Sequence, residues 1–254
     1  MQKKIKVMAI IFIALILINS CVFAEPTGIA LPTVQVSVND SATPQETVTT
    51  LQIIALITIL SLAPSLLIMV TSFTRIIIIL SFLRNAMGTQ QMPPNQILIG
   101  LALFLTLAIM SPTIAQINEQ AFTPYVEGTM AQDEALSNAG DIIKKFMLSQ
   151  LRGETELGLF MELNEVEASN PEELPLTVVI PAFILSELKL AFQIGFIIYI
   201  PFLVIDMIVA STLMSMGMMM LPPTTISLPF KILLFVLVDG WALVVQSVIN
   251  GFMV

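Results

Sequence analysis

Long apolar runs alternate with short polar breaks along this chain, and a single sizeable polar region interrupts them. Lys3, Lys4 and Lys6 precede an apolar run from Val7 to Ile18 that closes on Val22-Phe23-Ala24. That layout predicts a secretory signal peptide over residues 1–24, which is excluded from the fold. Two other readings stay open: an uncleaved anchor, for which the run is short, and a lipoprotein signal at Cys21, which Asn19 fits poorly. Residues 25–50 are rich in Pro, Thr, Ser and Val without a helical period and read as a flexible exported arm, with a weak strand over Thr33 to Val38 as the alternative. Leu51 to Leu83 is apolar almost throughout. At about 1.5 Å per residue it reaches roughly 50 Å, well beyond a hydrocarbon core of about 30 Å, so it cannot be one perpendicular span. Pro64 is expected to kink it, and Arg75 places a charge inside it. Arg84, Gly88, Pro93 and Pro94 mark a turn over Asn85 to Asn95, cytoplasmic by its basic charge, and Gln96 to Met110 returns as a shorter helix stopped near Pro112.

The polar region, residues 113–177, carries twelve acids against Lys144, Lys145 and Arg152, a balance that fits the external side. Within it Ile142, Ile143, Phe146, Met147 and Leu151 recur at three and four, the mark of an amphipathic helix, and Leu157 to Leu163 is a second candidate. These helices read as a small external cap; the sharper alternative turns Phe146 inward toward a passage. Val178 to Ala210 is again too long for a plain span and is expected to break at Pro181 and Pro201. A methionine-dense turn follows, Met214 to Pro223, in which Gly217 frees the backbone while Pro222 and Pro223 end the preceding helix. Unbranched, polarizable methionines can re-pack around different shapes, which suits a compliant seal; the plainer alternative is that Met216 to Met220 continue a buried helix. Thr224 to Val254 then crosses back, with Lys231 and Asp239 embedded.

Composition narrows the chemistry. The chain is 56% hydrophobic and 11% charged with mean hydropathy +0.94, the profile of an integral membrane protein. It holds no His, and its one Cys lies in the leader, so Cys/His zinc sites, Cys/His nucleophiles and thiol redox chemistry have no residues to use. No Gly-rich phosphate loop is present, no cofactor is expected, and a net charge of -8 argues against nucleic acid as a partner. No enzyme activity is expected.

The embedded charges are the remaining candidates. Asp206 lies about thirteen residues before the turn centre and Lys231 about twelve after it, so a hairpin brings them to similar depth and predicts a pair. Asp239, eight residues beyond Lys231, is expected on nearly the same helix face. Glu187 and Lys189 point to different faces and are expected to find different partners, on other subunits. Two roles stay open for the carboxylates: a salt-bridge ladder that fixes register, or a proton relay built on Asp206, Asp239 and Glu187. The chain as a whole reads as an all-α membrane protein, long kinked helices in hairpins with a small external helical region, packing into an oligomeric ring.

Several stretches resemble one family, in order along the chain. They are Thr71-Ser-Phe-Thr-Arg-Ile, Leu83-Arg-Asn-Ala-Met-Gly, Pro93-Pro-Asn-Gln, and Pro181-Ala-Phe-Ile-Leu-Ser-Glu-Leu-Lys-Leu-Ala-Phe-Gln-Ile-Gly-Phe. Pro201-Phe-Leu-Val-Ile-Asp, Gly217-Met-Met-Met-Leu-Pro-Pro, Leu228-Pro-Phe-Lys and Asp239-Gly-Trp complete the set. From Leu51 onward the chain resembles the FliP family, membrane subunits of the flagellar type III protein-export gate, so residues 51–254 are taken as one gate domain with 113–177 as its insert. The resemblance implies a pentameric ring with companion Q and R subunits, alongside the larger export-gate subunits and the basal body, that passes unfolded flagellar proteins across the bacterial inner membrane. It implies that the helices sit largely above the membrane plane after assembly. It also implies a methionine gasket at Met218, Met219 and Met220, a phenylalanine constriction at Phe146, and an intramembrane pair at Asp206 and Lys231. Virulence-associated injectisome subunits share the family; the leader peptide here favours the flagellar branch.

Overall fold

The computed structural model describes residues 44–89, 91–153, 155–168, 170–218 and 220–252. The leader over 1–24, most of the arm over 25–50, and Met219 lie outside the described residues. All regular structure among the described residues is helical. The helices are α1 (Pro44–Val70), α2 (Phe73–Met87), α3 (Asn95–Ile117), α4 (Thr123–Val126), α5 (Gln132–Gln150), α6 (Thr155–Leu163), α7 (Leu176–Ser215), α8 (Pro223–Leu237) and α9 (Gly240–Asn250). The chain divides into two units, residues 1–57 and 58–254; the first is described only by its helical residues from Pro44, and the packing and sites described below are those of the second.

The expected breaks at Pro112, Pro181 and Pro201 do not occur. Pro112 lies inside α3, and Pro181 and Pro201 both lie inside α7, which runs unbroken for 40 residues, about 60 Å; Pro64, expected only to kink its segment, lies inside α1. A proline removes only one backbone donor, whereas ending a helix in apolar surroundings strands several donors and acceptors, so the helix continues. The long apolar segment breaks instead at Thr71 and Ser72, where side chains take over from the ladder. The Thr74 hydroxyl donates to the Ile68 carbonyl at 3.1 Å, and the Thr71 hydroxyl accepts from the Phe73 amide at 3.4 Å. Beyond Pro112, α3 passes through one π-helical turn, Asn118–Phe122, into α4. The last apolar segment is likewise two helices: α8 and α9 meet at an elbow of 62° around Asp239.

Two apolar cores organise the second unit. In one, α2 lies against α3, α7, α8 and α9, with Ile76, Ile79, Leu80, Leu98, Ala191 and Phe235 among its buried side chains. Backbones approach closely here: a β-carbon at Gly195 of α7 would stand 2.6 Å from the Phe82 ring of α2, so no larger residue fits. The other core packs α5 and α6 onto the first part of α7 through Met147, Leu157, Val178, Val179 and Phe183. The amphipathic stripe read at Ile142 to Leu151 is therefore a core stripe that fastens the polar insert to α7.

Among the described residues three helical stretches are long and apolar enough to cross a membrane, Leu51–Val70, Asn95–Val126 and Leu176–Ser215; the bent pair α8–α9 makes a fourth if it counts as one broken span. Many apolar side chains in these elements stay outside either core, including Leu60, Leu67, Phe104, Phe196, Ile197 and Met207.

Candidate functional site

The turn after α7 is built by a left-handed helix cap. Gly217 takes φ +74°, its amide donates to Met214 at 3.0 Å, and the Met218 amide donates to Leu213 at 3.0 Å. This 5→2 and 6→1 pair satisfies two carbonyls that the helix end leaves open, and only glycine adopts that backbone cheaply. Pro222 and Pro223 then start α8, where a missing amide costs nothing. The methionines between project outward: Met216 and Met218 are exposed, and Met220 is 98% accessible. Within one chain they fill no core, so they do not continue a buried helix.

Below the turn the hairpin is pinned by charge. Lys231 donates to Asp206 at 2.6 Å, as their symmetric spacing predicts, and also to the Ala86 carbonyl at 3.2 Å. Ala86 lies in the last turn of α2, where carbonyls lack helical partners and a cation is favoured. Ser227, one turn before Lys231, donates to the other Asp206 oxygen at 2.5 Å. Three helices are thereby tied at one point. The i, i+4 spacing of Ser227 and Lys231 was the available sequence signal for that extra ligand.

A second centre is fully enclosed. Arg75 and Glu187, 2% and 0% exposed, form a two-pronged ion pair in which Nε donates to Oε2 at 2.8 Å and Nη2 donates to Oε1. The guanidinium also donates to the Gly251 carbonyl at 3.3 Å and lies 3.7 Å over the Phe252 ring. Arg152 reaches the same Gly251 carbonyl at 3.1 Å, and Gln150 donates to the Phe252 carbonyl at 3.5 Å. These groups fasten the C-terminal end of α9 onto α2 and α5. Nothing in sequence spacing marked Gly251, Phe252, Arg152 or Gln150.

Lys189 donates to Glu156 of α6 at 2.7 Å. The lysine hydrogen bond, then the bond from a backbone amide, holds the Glu156 carboxyl below its ordinary value. Glu187 and Lys189 thus find different partners, as their faces require, but in the same chain and not on other subunits. Phe146 is half-buried, its ring set edge-on to Phe183 with centroids 6.1 Å apart. Asp239 is not on the face of Lys231, because the helix ends between them and Asp239 itself adopts a left-handed backbone, φ +50° and ψ +53°. The three proposed carboxylates therefore do not form a line: two are spent on cations and the third stands apart at the elbow.

A family model described as the FliP family matches residues 56–248. The chain is similar to the flagellar biosynthetic protein FliP of Bacillus subtilis (strain 168), 54% identical over 220 residues that cover 85% of this chain and 98% of that protein. It is also similar to the protein of that name from Pectobacterium carotovorum subsp. carotovorum, 52% identical over 202 residues, 79% of this chain and 78% of the other. To the Caulobacter vibrioides protein of that name it is 48% identical over 234 residues, 92% of this chain and 87% of the other.

Proposed function

Because the chain belongs to the FliP family, a non-enzymatic membrane component of the flagellar export apparatus, we propose that it is a pore-forming subunit, with a closable lumen for unfolded rod, hook and filament proteins. The observation that carries this reading is the methionine tip: exposed, flexible side chains on a glycine turn, held by a part-buried charge pair at the base of the same hairpin. A stiff arm with a deformable end can close on itself around a gap and yield to a passing chain without specific chemistry.

Copies of this subunit would form a ring, pentameric as the family resemblance implies, with companion Q and R subunits and the larger export-gate subunits of the basal body in the inner membrane. Apolar side chains left outside both cores, such as Phe196 and Ile197 of α7, favour such packing, since a helix apolar on all sides needs lipid or protein around it. In the ring, Met218, Met219 and Met220 would line the closed gate and Phe146 would stand at a constriction. To reach it, the half-buried Phe146 ring would leave an edge contact with the fully buried Phe183, a contact that contributes about 0.5–1.5 kcal/mol beyond the area it buries.

The test is replacement of Met218, Met219 and Met220 by Ala in a motile host, with small-solute leakage and export of flagellar subunits scored in the same cells. A compliant seal predicts raised leakage with export at least partly retained. Normal leakage and normal export together would reduce the turn to an ordinary hairpin and move the search for the gate to Phe146.

A further inference from the structure

Five of the sixteen methionines stand within seven residues, 214–220. Three of them sit on the turn itself with their thioethers open to water: Met216 is 67% exposed, Met218 42% and Met220 98%. The other methionines are placed differently. Met87, Met110 and Met147 are buried, and Met69 and Met207 lie inside stretches apolar enough to cross a membrane. A thioether is the readiest target that a two-electron oxidant finds on this chain, which has no His and whose one Cys, Cys21, is remote in sequence from the turn. The turn thus gathers the most reactive side-chain type at its most accessible point. Its shape does not depend on sulfur. The Gly217 amide donates to Met214, the Met218 amide donates to Leu213, and Lys231 with Asp206 pins the base, so no thioether holds the hairpin together. A change at sulfur therefore leaves the arm folded and alters only what its tip presents.

We infer that the tip is a reversible oxidation site, at which a peroxide converts Met216, Met218 and Met220 to sulfoxides and so loosens the seal; the second half of this inference rests on the tip serving as the seal. A sulfur lone pair attacks one peroxide oxygen, the O–O bond breaks and an S–O bond forms. Sulfur gives up two electrons, and the displaced hydroxide takes the remaining proton and leaves as water. The product is polar and chiral where the thioether was apolar and deformable. Its oxygen accepts hydrogen bonds from water, so a closed apolar contact between tips becomes a hydrated one. Return is by methionine sulfoxide reductases, one enzyme for each sulfoxide epimer, at the expense of two thiols that leave as a disulfide. Met92 supplies a comparison on the same hairpin end. It is 65% exposed in the turn between α2 and α3, and that turn lies beside the base of the α7–α8 hairpin, where a β-carbon on Gly88 would stand 3.9 Å from Leu228 and from Lys231. Water reaches Met92 as it reaches the tip, but Met92 is not part of the seal.

The test treats membrane vesicles from a motile host, carrying the full chain, with hydrogen peroxide. Small-solute leakage and the oxygen gained by each methionine, mapped by mass spectrometry, are read on the same sample. The tip methionines are expected to gain oxygen at least about tenfold faster than Met87, Met110 and Met147, because a buried thioether waits for local opening. Leakage should rise in step with oxygen at the tip, and the two reductases should remove that oxygen from the solubilised complex. Replacing Met214, Met216, Met218, Met219 and Met220 by Leu, close in volume and without sulfur, should abolish the peroxide-dependent rise whatever the leakage before treatment. Met92→Leu should keep the rise. Oxygen uptake at the tip no faster than at the buried methionines, oxygen that the reductases do not remove, sulfoxides without added leakage, or a rise that survives the Leu replacements would each overturn the inference. Failure of the conducting role would read differently: the Ala variants of the tip would neither leak nor affect export before any oxidant is added, whereas a leaking Ala variant beside a peroxide-insensitive native tip would sink the oxidation switch alone.

Discussion

A guanidinium buried to 2% exposure survives in this fold because every direction around it is answered: a carboxylate in its plane, a carbonyl at one edge and an aromatic ring on its face. Removing one member exposes the cost of the others. Glu187→Ala is expected to lower stability by about 3–5 kcal/mol, since it leaves Arg75 buried without a counter-charge. Arg75→Leu combined with Glu187→Leu should recover most of that loss, because an apolar replacement for a whole buried pair is often neutral. Unfolding of the detergent-solubilised protein, compared across the single and double variants, checks this; equal stability of Glu187→Ala and the native chain would show that the pair is not structural. The residue scale was also the most unevenly legible in the sequence. Asp206 and Lys231 announced themselves by symmetry about one turn, whereas Arg75 and Glu187 are 112 positions apart and no local period relates them. Arg75 and Glu187 could each be recognised as needing a partner, but which one depended on how α2 lies against α7.

At the scale of elements, hydropathy identified the apolar segments but misplaced their ends. Prolines were weighted as breakers, as in water, yet the continuous α7 shows how strongly an apolar setting favours an intact ladder around Pro181 and Pro201. The true ends lie where a side chain can replace the ladder, at Thr71 and Thr74, or where the residue tolerates a positive φ, at Asp239. The polar insert followed ordinary rules, and its amphipathic stripe was legible because one face packs on α7 while the other meets solvent. Its attachment is sensitive to acid. Glu156 has a folded-state value below its ordinary one, so the tether to Lys189 stabilises fully above the ordinary carboxylate range, about 4.3, and is lost as pH falls through the lower folded value. Hydrogen exchange over residues 155–163, corrected for intrinsic rates, should stay protected from neutral pH down to that range and rise below it. Lys189→Met should already show the raised exchange at neutral pH and lose the acid dependence. Identical pH profiles in the two proteins would mean that the ion pair does not hold α6.

For the whole molecule the decisive question is whether its membrane carboxylates move protons or hold helices. The proton-relay reading needs Asp206 to gain and lose a proton during each cycle, which in turn needs Lys231 to tolerate repeated loss of its counter-charge. Lys231 is buried, and its remaining ligand is the Ala86 carbonyl, so each protonation of Asp206 would leave an almost unpaired ammonium among three helices. If the proposed gate deforms only at its tip, a pair that never opens serves the hairpin better. Asp206→Asn is therefore expected to lower recovery of the assembled export complex, with export falling in proportion. The relay reading expects the opposite separation, normal assembly with coupling abolished. The sharper discriminator is Asp206→Leu together with Lys231→Met, which removes both charges and fills the space with apolar atoms. A structural pair predicts that the double variant assembles and exports better than Asp206→Asn, because no unpaired charge remains buried. A relay predicts that it exports no better, since a leucine cannot carry a proton whatever its packing. Purifying the complex and assaying export in the same strains reads both quantities, and restoration of export without a carboxylate at position 206 would assign this charge pair to the framework of the subunit.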